Sequence, residues 1–394
     1  MARLPGILFA FIYLALPAHA ETVLIVPFYN LSSSKNIDWI GEGISEAVGE
    51  ALPANGVACV AADERRAAVA AMGIRAGARL TQASVLEIAI NLSAGVAVHG
   101  EYSLTGAGRE AERLRVRAAV VDIRQMRRIA QLEESGPLAD LSRIQARLAF
   151  RLLQSLRPGM ALPEESFLAR QPSIRLDAME NHIRGLMATD IEQQIRFFST
   201  AARLAPGYPE PNLRLGLYQL GRKDYRAAAG WLSQVGPGAL RAREAAFYLA
   251  LCRHQLGEFQ AARDLLEKVA SEAPLNEVHN NLGAAQARLD QEAALGSFDK
   301  AIEADPADPA AYFNAGYYLW RKGRFDEAMR RFNEVLERTP DDEAALLLLE
   351  RCEDRQGPRP GDPRTERQER LKTRYDESGW LMLKQIFTPK PEAN

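Results

Sequence analysis

Residues able to do chemistry are present but scattered. Beyond the first twenty positions the histidines are His99, His182, His254 and His279, none near another or near a cysteine. Zinc ligation asks for a His-x-x-x-His pair or a His/Cys set, so no metal site is expected, and each histidine is read as structural or on the surface. Ser45 lies in Gly43-Ile-Ser-Glu-Ala, which lacks the second glycine of a nucleophile elbow. Gly41-Glu-Gly43 has neither the dinucleotide-binding spacing nor a following Lys-Ser/Thr, and reads as a strand-to-helix turn. Glu42 and Glu46 are four apart, the spacing of a paired-carboxylate site, but with no histidine beside them a solvated helix face is expected. No catalytic, cofactor-binding or metal-binding residues are expected, and the chain is read as non-enzymatic.

The elements that would carry such residues are those of an ordinary globular chain. It has 394 residues, enough for two or three cores, and a formal charge of -2. That balance gives no electrostatic footprint for nucleic acid, so no nucleic-acid partner is expected. Arg124, Arg127 and Arg128 make a small basic group, read as a solvated turn. Cys59, Cys252 and Cys352 are too far apart in sequence for a disulfide framework, and buried, inert thiols are expected.

Residues 1–20 have the form of a signal peptide. Arg3 is the positive end, Ile7 to Leu16 the short apolar run, and Ala18-His19-Ala20 the small-x-small site. A bilayer-spanning helix needs roughly 20 apolar residues, and Pro17 stops this run at about half that. Removing Arg3 takes the charge from -2 to -3. No cysteine follows the site, so a lipid anchor is not expected, and neither is a membrane span further along. The expected location is the bacterial periplasm.

Self-similarity dominates the second half. A small residue recurs as Gly216, Ala250, Gly283 and Gly316, and an alanine as Ala228, Ala262, Ala294 and Ala328. Both series step by 32–34 positions, and Pro206, Pro274, Pro306 and Pro340 punctuate unit ends. Small residues let two antiparallel helices approach, and proline stops them. These units resemble the tetratricopeptide repeat (TPR), at about 209–241, 242–275, 276–308 and 309–342. A divergent unit, at about 175–208, has Phe198, Ala201 and Pro206 in place but Gln194 at a usual alanine; Glu343 to Gln356 reads as a cap helix. The resemblance implies a superhelical scaffold whose inner groove holds a protein or peptide partner. Carried over by position, the groove residues are Leu213, Leu217, Leu220, Phe247, Leu251, His254, Asn280, Ala284, Ala287, Phe313, Tyr317 and Trp320. The Lys and Asn cluster that grips a peptide's carboxylate end in some relatives is not expected here.

Residues 22–157 have another rhythm. Thr22 to Phe28 and Val57 to Ala61 read as strands, and Ile37 to Leu52, Asp63 to Met72 and Thr81 to Leu92 as helices. Val96 to Leu104, Arg113 to Val121 and Arg128 to Glu133 read as a meander, closed by a helix over Leu138 to Leu156. The fold class is thus α/β, a mixed sheet with flanking helices, followed by an all-α TPR solenoid. Pro27-Phe28, Asn30, Trp39 to Glu46, Gly100-Glu101-Tyr102 and Val120-Val121-Asp122 are similar to motifs of the TolB amino-terminal-like domain family. The chain lacks the family's Thr-Gly turn after the Val-Asp strand, having Ile123 to Arg128 there. The resemblance implies a non-catalytic module of bacterial envelope assemblies.

The expected organisation is a signal peptide (1–20), an α/β domain (22–157), a linker (158–174), a TPR array (175–356) and a tail (357–394). In the tail, 354–370 reads as a charged linker, and Tyr375 to Phe387 as an amphipathic helix. Exposed aromatics at Phe313, Tyr317 and Trp320 would form an apolar patch that needs a cover. That helix would lie either over them or at the array's end beside Cys352. The expected function is an exported adaptor; the alternative is a ligand-sensing module with the α/β domain as sensor, for which a deep, enclosed pocket within 22–157 would speak, as a flat exposed face would for the adaptor. A homo-oligomer is left open. Amino-terminal sequencing of exported protein is expected to begin at Glu21; a retained 1–20 segment would refute the cleavage.

Overall fold

The computed structural model describes residues 22–75, 77–106, 112–171, 173–376 and 379; the 1–20 segment and Trp380 to Phe387 lie outside them. Chain order begins with β1 (Val23–Ile25), β2 (Tyr29–Asn30), α1 (Trp39–Ala51), α2 (Ala62–Ala71) and α3 (Gln82–Asn91). It continues with β3 (Val96–Thr105), β4 (Arg113–Asp122), β5 (Arg127–Pro137) and α4 (Leu141–Leu156). Among the described residues the sheet order is β1-β3-β4-β5, with β2 also on β3. β1 and β2 run parallel to β3, while β3, β4 and β5 pair antiparallel, so the sheet is mixed.

Strand alternation builds two cores. Val23, Ile25, Val96 and Val98 face α1 and α4, while Leu24, Val26 and Ala97 face α3. In β4, Leu114, Val116, Ala118 and Val120 are buried beneath the first layer and Arg113, Arg115 and Arg117 are exposed. Gly41 lets α1 lie against the chain between β1 and β2, since a Cβ there would collide with the Phe28 carbonyl. The β4–β5 turn manages without glycine by placing Met126 in the left-handed region, at φ 50°. Val57 to Ala61 is not a strand: it offers only a single bridge, Cys59 to Val23.

The helical half follows. A short helix, α5 (Glu164–Leu168), sits in the stretch read as a linker, and its Phe167 is buried against Phe150 at 5.5 Å. Then come the helix pairs α6 (Leu176–Met187) and α7 (Ile191–Leu204), and α8 (Pro209–Gly221) and α9 (Tyr225–Leu232). They are followed by α10 (Ala242–Gln255) with α11 (Phe259–Glu272), and α12 (Asn276–Arg288) with α13 (Ala293–Ala304). The last pair is α14 (Pro309–Arg321) with α15 (Phe325–Arg338), and α16 (Glu343–Glu353) caps the stack. The turn inside four of these pairs carries a left-handed residue at Lys223, Gly257, Asp290 and Gly323, a C-terminal cap repeated at steps of 33 or 34. The two halves share a core, since Met179 and Ile183 of α6 pack with the α1 and α4 side chains.

The repeating small residues work as helix crossings. A Cβ on Gly216 would meet Leu232 at 2.6 Å, on Gly283 Phe298 at 2.6 Å, and on Gly316 Phe332 at 2.9 Å. Gly185 meets Phe198 in the same way at 2.6 Å, so the divergent first pair keeps the crossing despite Gln194. Ala228, Ala262, Ala294 and Ala328 are fully buried. Gly316→Leu is therefore expected to lower unfolding free energy by about 1–3 kcal/mol through overpacking, read by urea titration. Unchanged stability would mean that Gly316 is not a crossing residue.

Candidate functional site

The site is the inner face of the last three helix pairs. Its first-helix side chains are placed by repeat geometry: positions 33 apart, such as Asn281 and Asn314, each two residues before a crossing glycine, take equivalent places on α12 and α14. The Asn314 carboxamide donates to the Asn280 carboxamide oxygen at 2.9 Å, so the two form one polar row. A buried amide row needs partners for its remaining donors and acceptors. The partners come from the chain's own segment 356–376, which has no helix or strand and runs along the groove.

The asparagines hold that segment by its backbone. Asn314 accepts from the Arg370 N–H at 2.7 Å and donates to the Arg370 carbonyl at 3.0 Å, where Asn280 also donates at 2.8 Å. Asn281 repeats the two-way grip at Lys372, with both bonds at 2.8 Å. Alternate residues are clasped, the period of an extended strand, and a backbone grip takes no account of side-chain identity. Further bonds run from Trp320 Nε1 to the Gln356 carbonyl and from the Tyr317 hydroxyl to the Thr365 carbonyl, both 2.8 Å, and from the Asp376 N–H to Glu277 at 2.8 Å.

Side chains supply the sequence-dependent contacts. The Arg370 guanidinium lies 3.5 Å from the Phe313 ring centre and donates to both Asp342 oxygens at 2.6 and 2.7 Å. Those bonds hold the Asp342 carboxyl below its ordinary range, and Asp342 also caps α16 by accepting from the Ala345 N–H. Glu369 is buried between Arg288 at 3.4 Å and Arg321 at 3.7 Å. Lys372 pairs with Asp308, and the Tyr375 ring packs on Phe247 at 5.3 Å.

Of the residues read as groove positions, Phe247, Asn280, Phe313, Tyr317 and Trp320 touch this segment. Leu213, with Leu217 and Leu220, instead packs with α9 and α10. Leu251, Ala284 and Ala287 are buried. His254 stands edge-on to Phe259 at 5.0 Å, and burial pushes its imidazole down to about 4, so it stays neutral.

Three findings bear on the expectations. Asn280, Asn281 and Asn314 form a cluster of which only Asn280 was read as a groove position, and it clasps mid-chain backbone. Phe313, Tyr317 and Trp320 present no open apolar patch, being 0%, 3% and 0% exposed. Their cover is the charged, proline-rich stretch read as a linker, which can lie in the groove because its backbone amides answer the buried asparagines. The third concerns Glu42 and Glu46, which are not on a solvated face. Arg65 reaches them at 2.7 and 3.0 Å, and Arg66 contacts both. α2 folds back over α1 and brings those arginines, which spacing within one helix cannot foretell.

Residues missed in the sequence are Asn281, Asn314, Asp308, Asp342, Arg288 and Arg321. The detectable signal was the step of 33 between Asn281 and Asn314, the same as between Gly283 and Gly316. Among the described residues, no group of three or more His, Cys, Asp or Glu side chains is arranged to hold a metal ion.

Tetratricopeptide-repeat models match residues 244–276 and 290–352. No curated protein matches the chain. Among solved structures it is similar to MamA, at 22% identity over 40% of this chain and 94% of that one, with a TM-score of 0.37. A MamA chain from Desulfovibrio magneticus RS-1 that starts at its residue 41 is 22% identical over 42% and 95%, with a TM-score of 0.38. YrrB, described as a TPR protein with an unusual peptide-binding site, is 21% identical over 40% and 92%, with a TM-score of 0.33. The chain thus carries tetratricopeptide repeats, set behind an amino-terminal domain with a mixed sheet.

Proposed function

We propose that this protein is an exported envelope scaffold whose TPR groove binds an extended segment of a partner protein, and that residues 356–376 hold the groove until the partner displaces them. The observation that carries the reading is the two-way clasp of Arg370 and Lys372 by Asn314 and Asn281. Such a clasp recognises any extended backbone, and the pockets for Glu369, Arg370 and Tyr375 select among sequences. A partner segment would therefore offer an acid beside a base, with an aromatic a few residues on. Tethering gives the resident segment an effective concentration in the millimolar range for short linkers, so a partner must bind tightly or be locally concentrated.

The envelope context rests on the signal-like 1–20 segment and on the TolB amino-terminal-like motifs. Trp39 to Glu46 of those motifs form the inward-facing start of α1, and the Tyr102 hydroxyl ties β3 to the Ile37 carbonyl at 2.7 Å. No helix among the described residues is long and apolar enough to cross a membrane. The same domain supports the adaptor reading by welding the first repeat in place. The ligand-sensing alternative draws on a cavity that lies between the two halves and is not enclosed within 22–157.

A labelled peptide of residues 365–376 tests the reading. It should bind a chain ended after Gln356 at least tenfold more tightly than it binds the full chain. Asn281→Ala and Asn314→Ala should each weaken that binding about tenfold, as expected for losing roughly 1 kcal/mol per net hydrogen bond plus an unmet partner. A shortened chain that keeps its helical circular dichroism yet ignores the peptide would overturn the reading.

A further inference from the structure

A second concavity lies far along the chain from the groove residues, where α1 and α4 of the amino-terminal domain meet α6 and the loops before α8 and α10. Its volume is about 440 Å³, within the range of about 300–1,000 Å³ usual for small-molecule sites. One wall is apolar, made by Ala47, Ala51, Ala146, Ala149, Met179 and Ile183. The polar wall carries Glu46, Glu50, Gln145, His182, Tyr208 and Glu210.

Several of these polar groups are buried without partners. Gln145 is 3% exposed, His182 4% and Glu210 9%, and Gln145 Nε2, His182 Nδ1 and Glu210 Oε2 make no hydrogen bond. Orphaned buried polar atoms cost free energy, so their concentration around one cavity asks for a guest. Electrostatics narrow its sign. Four nearby arginines already have carboxylates: Arg65 and Arg66 hold Glu42 and Glu46, Arg241 holds Glu244 at 2.5 and 2.7 Å, and Arg214 lies 3.7 Å from Asp63. A fifth, Arg170, lines the cavity as an exposed side chain open to solvent. Glu50 and Glu210 have no ion pair among the described residues; Arg214 and Arg241 act on them only at longer range, so two acids on the cavity wall lack a contacting cation, against the single exposed Arg170.

We propose that this junction cavity binds a small organic cation, an amine or guanidinium on an apolar body, with Glu50 and Glu210 as its counter-ions. The apolar wall takes the body, and the Gln145 carboxamide and His182 ring meet the remaining polar atoms of the guest. Without a guest, burial together with Glu210 and Glu46 pushes the Glu50 carboxyl up to about 8, and burial likewise raises Glu210. Burial, with Arg214, Arg241 and Arg66 nearby, pushes His182 down to about 3, so it stays neutral and does not repel a cation. A bound cation favours the ionised carboxylates, so it must displace protons below pH 8. Affinity should thus rise with pH from 6 to about 8 and then level, while an alkyl amine with a pKa near 10 stays charged. Because the walls come from both halves, occupancy would also fix the first repeat against the α/β domain.

The test uses the full chain with three ligands of one shape, 4-phenylbutylamine, 4-phenylbutanol and 4-phenylbutanoate, by titration calorimetry and thermal shift. The amine should bind at least tenfold more tightly than the alcohol and raise the melting temperature, and the butanoate should bind weakest. Glu50→Gln and Glu210→Gln should each cost about tenfold or more in amine affinity, as for loss of a charge-assisted bond, and leave alcohol binding unchanged. Glu50→Gln removes an acid whose burial disfavours its charge, so the variant should fold. Equal binding of amine and alcohol, full amine affinity in both variants, or preference for the butanoate would overturn the proposal. Peptide binding in the groove is measured separately and stands or falls apart from it.

Discussion

A pair of antiparallel helices has two apolar faces and can bury only one against itself, so each repeat depends on a neighbour. The architecture follows from how that debt is met at the ends and along the inside of the stack. At the front, α6 lays Met179 and Ile183 into the same core as α1 and α4, so the α/β domain serves as the cap. At the back, α16 buries Ala345, Leu348 and Cys352 against the α14–α15 pair. Along the concave side the aromatic row is closed by the chain's own extended segment.

Close helix crossing is what makes the inner face usable. Glycine at 216, 283 and 316 lets a Leu or Phe of the second helix press against the first-helix backbone, which leaves the opposite side of that helix free to line the groove. On that side, asparagines at equivalent places in α12 and α14 meet in one row. A polar row inside an apolar groove is costly unless satisfied, and an extended backbone satisfies it regardless of side chains. The contacts that depend on side chains lie beside this row, with Asp308, Asp342, Arg288 and Arg321 arranged by charge around Lys372, Arg370 and Glu369.

The junction and the groove share a logic. Both are places where elements distant in sequence bring polar groups together beside apolar walls. In the groove the asparagine row finds partners within the chain. At the junction Gln145, His182 and Glu210 do not, although the neighbouring Glu42–Glu46–Arg65–Arg66 cluster is fully paired. That contrast between adjacent buried clusters marks the cavity out from ordinary packing.

Local periodicity determined much of this protein directly from sequence. The repeat step, the crossing glycines, the helix-ending prolines and the alternation in β4 are short-range signals, and the structure realises each as a helix pair or a half-buried strand. Resemblance also pointed to the inner face on which Phe247, Asn280, Phe313, Tyr317 and Trp320 lie. Tertiary structure alone decided what meets what. Arg65 and Arg66 reach Glu42 and Glu46 only because α2 folds over α1, and Val57 to Ala61 stays a loop because a single bridge to β1 is all the sheet edge offers it. Segment 356–376 was legible as charged and proline-rich, which describes a solvated linker equally well. Its place in the groove depends on asparagines some 60 to 90 residues away, aligned by the superhelix, and no local pattern encodes that alignment.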